Sequence, residues 1–557
     1  MKKRDRCTSV REVVERNTGM AASEFLCPHK DYRIHNMKQA KVMLAKALNS
    51  GTYIFVMSDY DVDGVASGCI FELLFRTAGY KNYRIRFPKR FSEGYGIRDA
   101  VIDELPEGRD VLLITVDNGI TALSPIRKAK ERGYKTLVLD HHNPVRDPDT
   151  GEIILPEADL IVDQHAFPGQ EFDGYCGAGL AYKLCSAFIV PGHPVQKRML
   201  GFAAMATIAD VMPLVHENRT IVTDGLAELT RYRTTGTEEL LKAFGMDRYL
   251  TPSDIGYYIG PSINAMSRMN NDGARMAFEA LVFDGSAEKA RELAENMRNT
   301  NQRRKELTEE SLDSINALVK TEGLDKWYPM CVYQQGLHEG LIGILAGELA
   351  ESYQRPVLVF TDNPGGFLKG SGRTFGNINL YGLLNSCGSL FLKWGGHAEA
   401  AGMSIAPEKL PELRQALADA FVSQGCPKEA PEKTYDLDVT MEQLPQVCEE
   451  ISVYRPFGQG NPPVRLLVRD FCLEPKQFLE GKSIKLMGKD CQHIKLFGRN
   501  YDAIAFQKAE KYHSLSEPDH LDLLCTIEQN HYVNKRSGIL NIKDQLECED
   551  IFLPGTE

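Results

Sequence analysis

The chain has 557 residues, 43% of them hydrophobic and 25% charged, with a formal net charge of −11. That length exceeds a single hydrophobic core and predicts roughly two to four domains. The acidic balance excludes a polycation that coats nucleic acid, though not a local basic groove. Thirteen cysteines occur without a C-x-x-C pair, which points to reduced thiols rather than a disulfide framework or a zinc ribbon. The start, "MKKRDRCTSVREVVERN", is basic but lacks the apolar stretch of a signal peptide, and there is no run of about 18 apolar residues. A cytoplasmic protein with no membrane span is expected.

In chain order, residues 1–49 are expected as an N-terminal extension. From 50 to 165 short apolar runs, rich in β-branched residues, end in acids: "YIFVMSD" (53–59), "DVLLITVDNG" (110–119), "KTLVLDHH" (135–142) and "ADLIVDQH" (158–165). They alternate with helix-like segments. The pattern predicts a doubly wound parallel sheet, with ligands beyond the carboxyl ends of its strands. Residues 170–285 read as mainly helical and complete this first domain, 50–285. The stretch 286–320 has no Gly or Pro and predicts one long or once-broken helix joining two lobes, within a connector spanning 286–325. A second α/β pattern occupies 326–425. A linker, "QGCPKEAPEKTYD" (424–436), leads to short strand candidates across 433–557 that suggest a small β-barrel.

The stretch "DYDVDG" opens like a calcium loop, with Asp59, Asp61 and Asp63 at alternate positions before Gly64. An EF-hand closes on a glutamate at its twelfth position. Counting from Asp59 that position is Ile70, and a strand precedes the acids where a helix should stand. The better reading is a composite site. Asp61 and Asp63 face one side of an extended chain; Asp117 ends the second strand; Asp140, His141 and His142 end the third. Carboxylates with one or two imidazoles suit Mn²⁺ or Mg²⁺ better than structural zinc, and a pair of cations suits phosphoester hydrolysis. Asp210, in "ATIADVMPL", reads on pattern alone as either a helix cap or a further ligand.

These motifs resemble the DHH phosphoesterase superfamily. "DYDVDG", "VDNG" and "LDHH" match its first three motifs. "CGAGLAYKL", "ATIADVMPL", "GLIGILAGELAE", "GSGRT", "WGGHAEAAGMSI" and "PFGQGNPP" match, in order, later motifs of its RecJ branch. The resemblance implies a single-strand-specific 5′-to-3′ DNA exonuclease that uses two Mn²⁺ or Mg²⁺ ions and ends in an OB-fold-like nucleic-acid-binding domain. It implies Asp61, Asp63, Asp117, His141 and Asp210 as metal ligands, with Asp117 bridging. Asp59 stands as a further ligand or a supporting acid, His142 as a catalytic or supporting group, and Asp140 as the orienter of the histidines.

In the second lobe Gly395 and Gly396 let backbone amides approach a phosphate, and His397 could donate to its oxygen. Ser371, Arg373 and Thr374 form a candidate anion cradle. Arg298, Arg303, Arg304 and Lys305 of the long helix could line a groove, and Phe457 and Phe497 could stack bases. One departure is notable: "GPSINAMSRMNN" places Ser262 where the RecJ pattern has arginine, with Arg268 six residues on as a substitute. "GSGRT" also differs from the commoner "GSAR" form. The predicted reaction is stepwise release of mononucleotides from single-stranded DNA in recombination and repair, alongside a single-strand-binding protein or helicase. The rivals are a phosphodiesterase for short oligonucleotides or cyclic dinucleotides, and a non-catalytic replication scaffold.

Overall fold

In the strands Tyr53–Met57, Val111–Val116 and Lys135–Leu139 successive side chains point to opposite faces, and both sets are apolar. Ile54, Val56, Leu112, Ile114 and Leu139 join one core, while Phe55, Met57, Leu113 and Val138 join another. A strand apolar on both faces needs helices on both, as parallel sheets provide. The result is a five-stranded parallel sheet in the order Tyr83–Arg86, Tyr53–Met57, Val111–Val116, Lys135–Leu139, Leu160–Val162. Its carboxyl ends share one edge, so acids far apart in sequence meet there. The helix Val62–Thr77 follows the first strand and is buried from Val62 through Phe75; each fully buried Leu or Phe in it contributes about 1.5–3 kcal/mol. Helices from Gly177 to Leu281 complete this lobe.

The computed structural model describes residues 1–27, 31–147, 150–246, 249–428, 432–533 and 540–556. Ser286 caps the connector by accepting from Lys289 N, and Gly323, at φ 64°, ends it. Between them Ala287–Glu322 is one unbroken helix of 36 residues, about 54 Å long at 1.5 Å per residue. The second lobe is a mixed sheet in the order Phe391–Gly396, Ala400–Ile405, Leu368–Arg373, Val357–Asp362, Met330–Tyr333, backed by the helices Ile342–Tyr353 and Leu410–Ser423. The lobes touch where an added Cβ on Gly340 would lie 2.2 Å from Arg268 O, and where Phe91 meets His338 at a ring-centroid distance of 5.7 Å.

The C-terminal domain differs in one respect from the expected barrel. Its seven strands run Leu437–Thr440, Leu466–Cys472, His520–Val533, Leu540–Phe552, Asp502–Ala505, His493–Phe497, Ile484–Met487, and no ladder among the described residues joins first to last. The expected extension 1–49 is not one unit. Lys2–Lys3 pairs with Thr434–Tyr435, and Val10, Val13, Val14 and Phe25 are buried in the core of the C-terminal domain. Arg16 reaches the buried Asp436 at 2.7 Å. The helix Met37–Ser50 packs instead on the first lobe. No helix among the described residues is long and apolar enough to cross a membrane.

Candidate metal centre and phosphate cradle

Backbone amides, some from the adjoining turn and some remote in sequence, hold three of these acids. Asp61 caps the helix Val62–Thr77, its Oδ1 accepting from Asp63 N at 3.0 Å and Gly64 N at 3.2 Å. Gly64 is required by space, since an added Cβ would stand 2.3 Å from Asp59 O. That close turn, and not a calcium loop, is the reason for the glycine in "DYDVDG". Asp63 receives both amides at the start of the helix Gly177–Cys185: Gly177 N donates to Oδ2 at 2.6 Å and Ala178 N to Oδ1 at 2.7 Å. A helix N-terminus favours the ionised carboxylate. Asp140 accepts from His141 N (2.8 Å), His142 N (3.3 Å) and Ile120 N (2.9 Å), and its Oδ1 lies 2.8 Å from His142 Nδ1. It therefore fixes the backbone of both histidines and the ring of His142.

The donor atoms converge. Asp59, Asp61 and Asp117 offer one set within 4.8 Å; Asp63, His141 and Asp210 a second; Asp117, His141 and His142 a third. His141 Nε2 is 3.2 Å from Asp117 Oδ1, 3.5 Å from Asp63 Oδ2 and 3.6 Å from Asp210 Oδ2. Asp117 belongs to two of these sets, in the left-handed region at φ 60°, and its Oδ2 is buried without a hydrogen-bond partner. Asp210 follows the carboxyl end of the helix Pro194–Ala209, where a carboxylate finds no free amide to cap, and its side chain faces the cluster instead.

The charges are unbalanced. Burial, and then Asp61, push Asp59 well above the carboxylate range. Burial, and then Asp63 and Asp61, do the same to Asp117, and they lift Asp210 to about 8. Burial depresses His141, leaving a neutral imidazole that can act as a ligand. His142 behaves oppositely: burial disfavours its charge, but Asp140 outweighs it and raises the ring to about 9. An acid-rich, oxygen-dominated pocket with an orphaned carboxylate oxygen and a neutral imidazole fits hard divalent cations such as Mn²⁺ or Mg²⁺.

A basic pole adjoins the acids. Arg268 is half-buried; its guanidinium is held down to about 10 by that burial and by the charges of Arg90, Arg373 and Arg304. Tyr60 lies between the poles, under the Arg90 guanidinium at 4.6 Å and within the fields of Asp59, Asp61 and Arg268. Arg373 Nη1 rests on Ser371 Oγ at 3.1 Å and Gly372 O at 2.8 Å. The close glycine face of the helix Ile342–Tyr353 makes room for it, since a Cβ on Gly343 would meet the Arg373 guanidinium at 3.1 Å. Arg373 and Thr374 line a cavity of about 490 Å³ with Gly343, Gly347 and Glu348.

Other expected residues are placed differently. His397 stands exposed in the turn after Gly396, where Glu399 N donates to its Nδ1 at 3.3 Å; the structure does not gather it with the strand-end acids. Gly396 (φ 155°) makes that turn, since a Cβ would lie 2.2 Å from Ala400 O, and Gly395 faces open space. Phe497 is buried, with the exposed Phe478 against it; Phe478 and Phe506 are the exposed phenylalanines of this domain among the described residues. Arg303 is engaged by Glu306 and Glu310, which leaves Arg304 as the arginine of the long helix that reaches the basic pole.

Two contributors were missed from sequence. Arg90 and Tyr95 lie in "FPKRFSEGYG", the loop after the strand Tyr83–Arg86. Tyr95 Oη donates to Asp117 O at 3.1 Å and lies 3.1 Å from His142 Nδ1, and Gly96 N donates to Asp59 Oδ1 at 3.4 Å. The signal was the loop's position at a strand's carboxyl end. Tyr95→Phe keeps the ring and removes about 1 kcal/mol of hydrogen bonding; turnover is expected to fall roughly fivefold, measured at saturating Mn²⁺.

Comparison with known proteins follows the same division. Residues 53–207 match the DHH family N-terminal domain, 327–423 the DHHA1 domain and 435–544 the RecJ OB domain. The fold and site thus define a protein of the DHH class. The Single-stranded-DNA-specific exonuclease RecJ of Haemophilus influenzae is 32% identical over 405 residues, 69% of this chain and 68% of that protein. The chain belongs to the RecJ family. The Bacillus subtilis protein of the same name is 30% identical over 93% of this chain, which spans 64% of that protein's length. A crystal structure of RecJ with Mn²⁺ from Thermus thermophilus superposes with a TM-score of 0.77 at 26% identity, covering 97% of this chain and 75% of that one.

Proposed function

We propose that this chain is a metal-dependent exonuclease that hydrolyses phosphodiester bonds of single-stranded DNA from the 5′ end and releases mononucleotides. One observation carries the reading: three ligand sets linked through Asp117 and His141 stand beside a half-buried arginine within the fields of three others. Acids to hold cations next to arginines to hold phosphate are what a phosphodiester needs at its reacting and non-reacting ends. The names of the RecJ relatives, and the Mn²⁺ of the Thermus structure, point the same way.

Asp59, Asp61, Asp63, Asp117, His141 and Asp210 would hold two divalent cations. When bound, such cations make water a competent nucleophile at neutral pH and neutralise charge on the phosphoryl group. The remaining work falls to the chain itself. Asp140 fixes His142 with its proton toward Oδ1, which places positive charge at the cluster's rim. Arg268, Arg90 and Arg373 bind the phosphate adjoining the scissile one, with Ser371 and Thr374 beside Arg373. Gly395, Gly396 and His397 would close on the strand from the second lobe. Single strands are selected sterically, the strand passing between lobes pinned at Arg268 and Gly340 while the C-terminal domain holds the backbone. A single-strand-binding protein or helicase would supply such strands during recombination and repair, and thirteen free thiols fit a reducing cytoplasm.

Ser262 does not leave the cradle short of charge. It is buried, donates to Tyr258 O at 2.6 Å, and accepts from Asn301 Nδ2 at 3.1 Å. Asn301 Oδ1 in turn receives Arg304 Nη2 at 2.8 Å. The chain Ser262–Asn301–Arg304 thus delivers a guanidinium from the long helix to the basic pole. Arg304→Ala is expected to raise KM for single-stranded DNA about tenfold, the loss of one charged hydrogen bond, with Mn²⁺ affinity unchanged.

The reading is tested with single-stranded DNA labelled at one end, in Mn²⁺ and in EDTA. Early release of 5′ label in Mn²⁺ alone supports it. Release from the 3′ end, or cleavage confined to molecules of a few nucleotides, overturns it.

A further inference from the structure

The motif "PFGQGN" lies in the C-terminal domain, yet it touches the first lobe immediately after Asp210. Asp210 ends its helix, and the next residue, Val211, has φ +54°; five residues on, His216 has φ +52°. A β-branched residue in the left-handed region is an outlier, and such a conformation persists only when its surroundings over-determine it. Val211 cannot hold itself, because its side chain is 65% exposed.

The surroundings come from two domains. Within the lobe, Met212 N donates to Thr207 O at 3.0 Å and Asn218 Nδ2 to Pro213 O at 3.1 Å. From the C-terminal domain, Gln459 O accepts from Leu214 N at 2.7 Å. Gly458 and Gly460 let this backbone approach: a Cβ on Gly458 would stand 2.7 Å from Leu214 Cδ1, and one on Gly460, at φ +73°, 3.0 Å from Pro213 Cβ. The loop is itself rigid. Gly458 and Asn461 bond reciprocally at 2.9 and 3.2 Å, and Asn461 Nδ2 donates to Tyr454 O and Pro456 O at 3.0 and 2.9 Å. Arg219 Nη2 donates across the same junction to Arg455 O at 2.8 Å, and Val215 packs on both cores.

We propose that the Pro456–Asn461 loop is a positioning element of the metal centre: it braces the 211–216 turn and so fixes the carboxylate of Asp210. The C-terminal domain would then serve the hydrolytic site itself as well as the nucleic acid. A chain cut after about residue 430 would lose metal-site geometry together with its grip on DNA. The inference rests on the proposed metal centre but concerns which residues shape it.

The test uses the full chain with Gly458→Val as a wedge, and Gly460→Ala and Leu214→Ala as milder changes. Two measurements avoid activity: amide hydrogen exchange of residues 207–216, and Mn²⁺ affinity from the electron-spin signal of free Mn²⁺. The expected result is faster exchange in 207–216 and about tenfold weaker Mn²⁺ binding, the size typical of groups that orient a ligand, with binding of single-stranded DNA in EDTA unchanged. If Gly458→Val misfolds, the same shifts are expected, smaller, in the other two. Folded variants with wild-type exchange and wild-type Mn²⁺ affinity overturn the proposal. A wild-type chain that binds no Mn²⁺ overturns the metal-centre reading instead, and slow exchange of 207–216 in Gly458→Val then overturns the brace as well.

Discussion

Asp117→Asn is expected to cut hydrolysis of single-stranded DNA by about 10³-fold, the scale seen when one preorganised charge-stabilising group is removed, while making the metal-free protein more stable. The two effects share one cause. Asp117 is buried among Asp63, Asp61, Asp59 and Asp210, and its carboxyl is pushed well above the usual range. A group whose folded value is raised prefers to be protonated in the fold, so it weakens the fold as pH climbs through that value. Above the ordinary carboxylate range Asp117 therefore weakens the metal-free fold, a cost that bound cations would offset and that asparagine removes. Thermal melting in EDTA at pH 7.5 is expected to move up for the variant. The wild-type chain gains stability in excess Mn²⁺, by about 2.7 kcal/mol at 100 times the dissociation constant, and the variant gains little of it. A variant that melts lower in EDTA yet keeps the Mn²⁺ gain would mean that Asp117 is a structural acid.

The acid set was legible because strand and site share a rule. A run buried on both faces announces a parallel sheet, and the residue that ends the run falls at the ligand edge, so Asp59, Asp117 and His141 could be placed from chemistry and spacing. What stayed hidden depended on partners remote in sequence. The amides that hold Asp63 lie 114 and 115 residues away, and Arg16 meets Asp436 across 420, so the N-terminal helix looked independent. Tyr95 and Arg90 sit in a loop without periodicity. Arg304 was one of several similar charges in 298–305. Helix phase distinguishes it in retrospect, because Asn301 and Thr308 are buried and 301, 304 and 308 share a face. Phe497 shows the opposite error: an aromatic in a nucleic-acid-binding domain invites a stacking role, but Phe497, out of phase with the core residues Ile494 and Leu496 of its strand, is already covered by Phe478 and by the Lys495 ammonium at 5.3 Å.

Gly177→Ala addresses the contact that no local pattern could show. An added Cβ there would lie 2.7 Å from Asp117 Cβ, 3.0 Å from Asp117 Cα and 3.1 Å from Asp63 Oδ2. Asp117 cannot withdraw readily, since its N–H is bonded to Leu139 O at 3.0 Å and its backbone is left-handed. The helix start must therefore retreat, and it takes with it the two amides on Asp63. Stability falls modestly, since overpacking costs about 1–3 kcal/mol and Gly177 is the first residue of its helix, outside the interior where alanine outscores glycine. Activity is expected to fall about 10²-fold with weaker Mn²⁺ binding, as when a group orienting a ligand is lost. Gly179→Ala supplies the comparison within the same motif. Its Cβ meets Tyr175 and Cys176 at 3.6 and 3.7 Å, ordinary contact distances, so near wild-type activity is expected. Equal losses from both substitutions would show that the glycines serve the packing of the helix; a loss confined to Gly177 ties the motif to the carboxylates it faces.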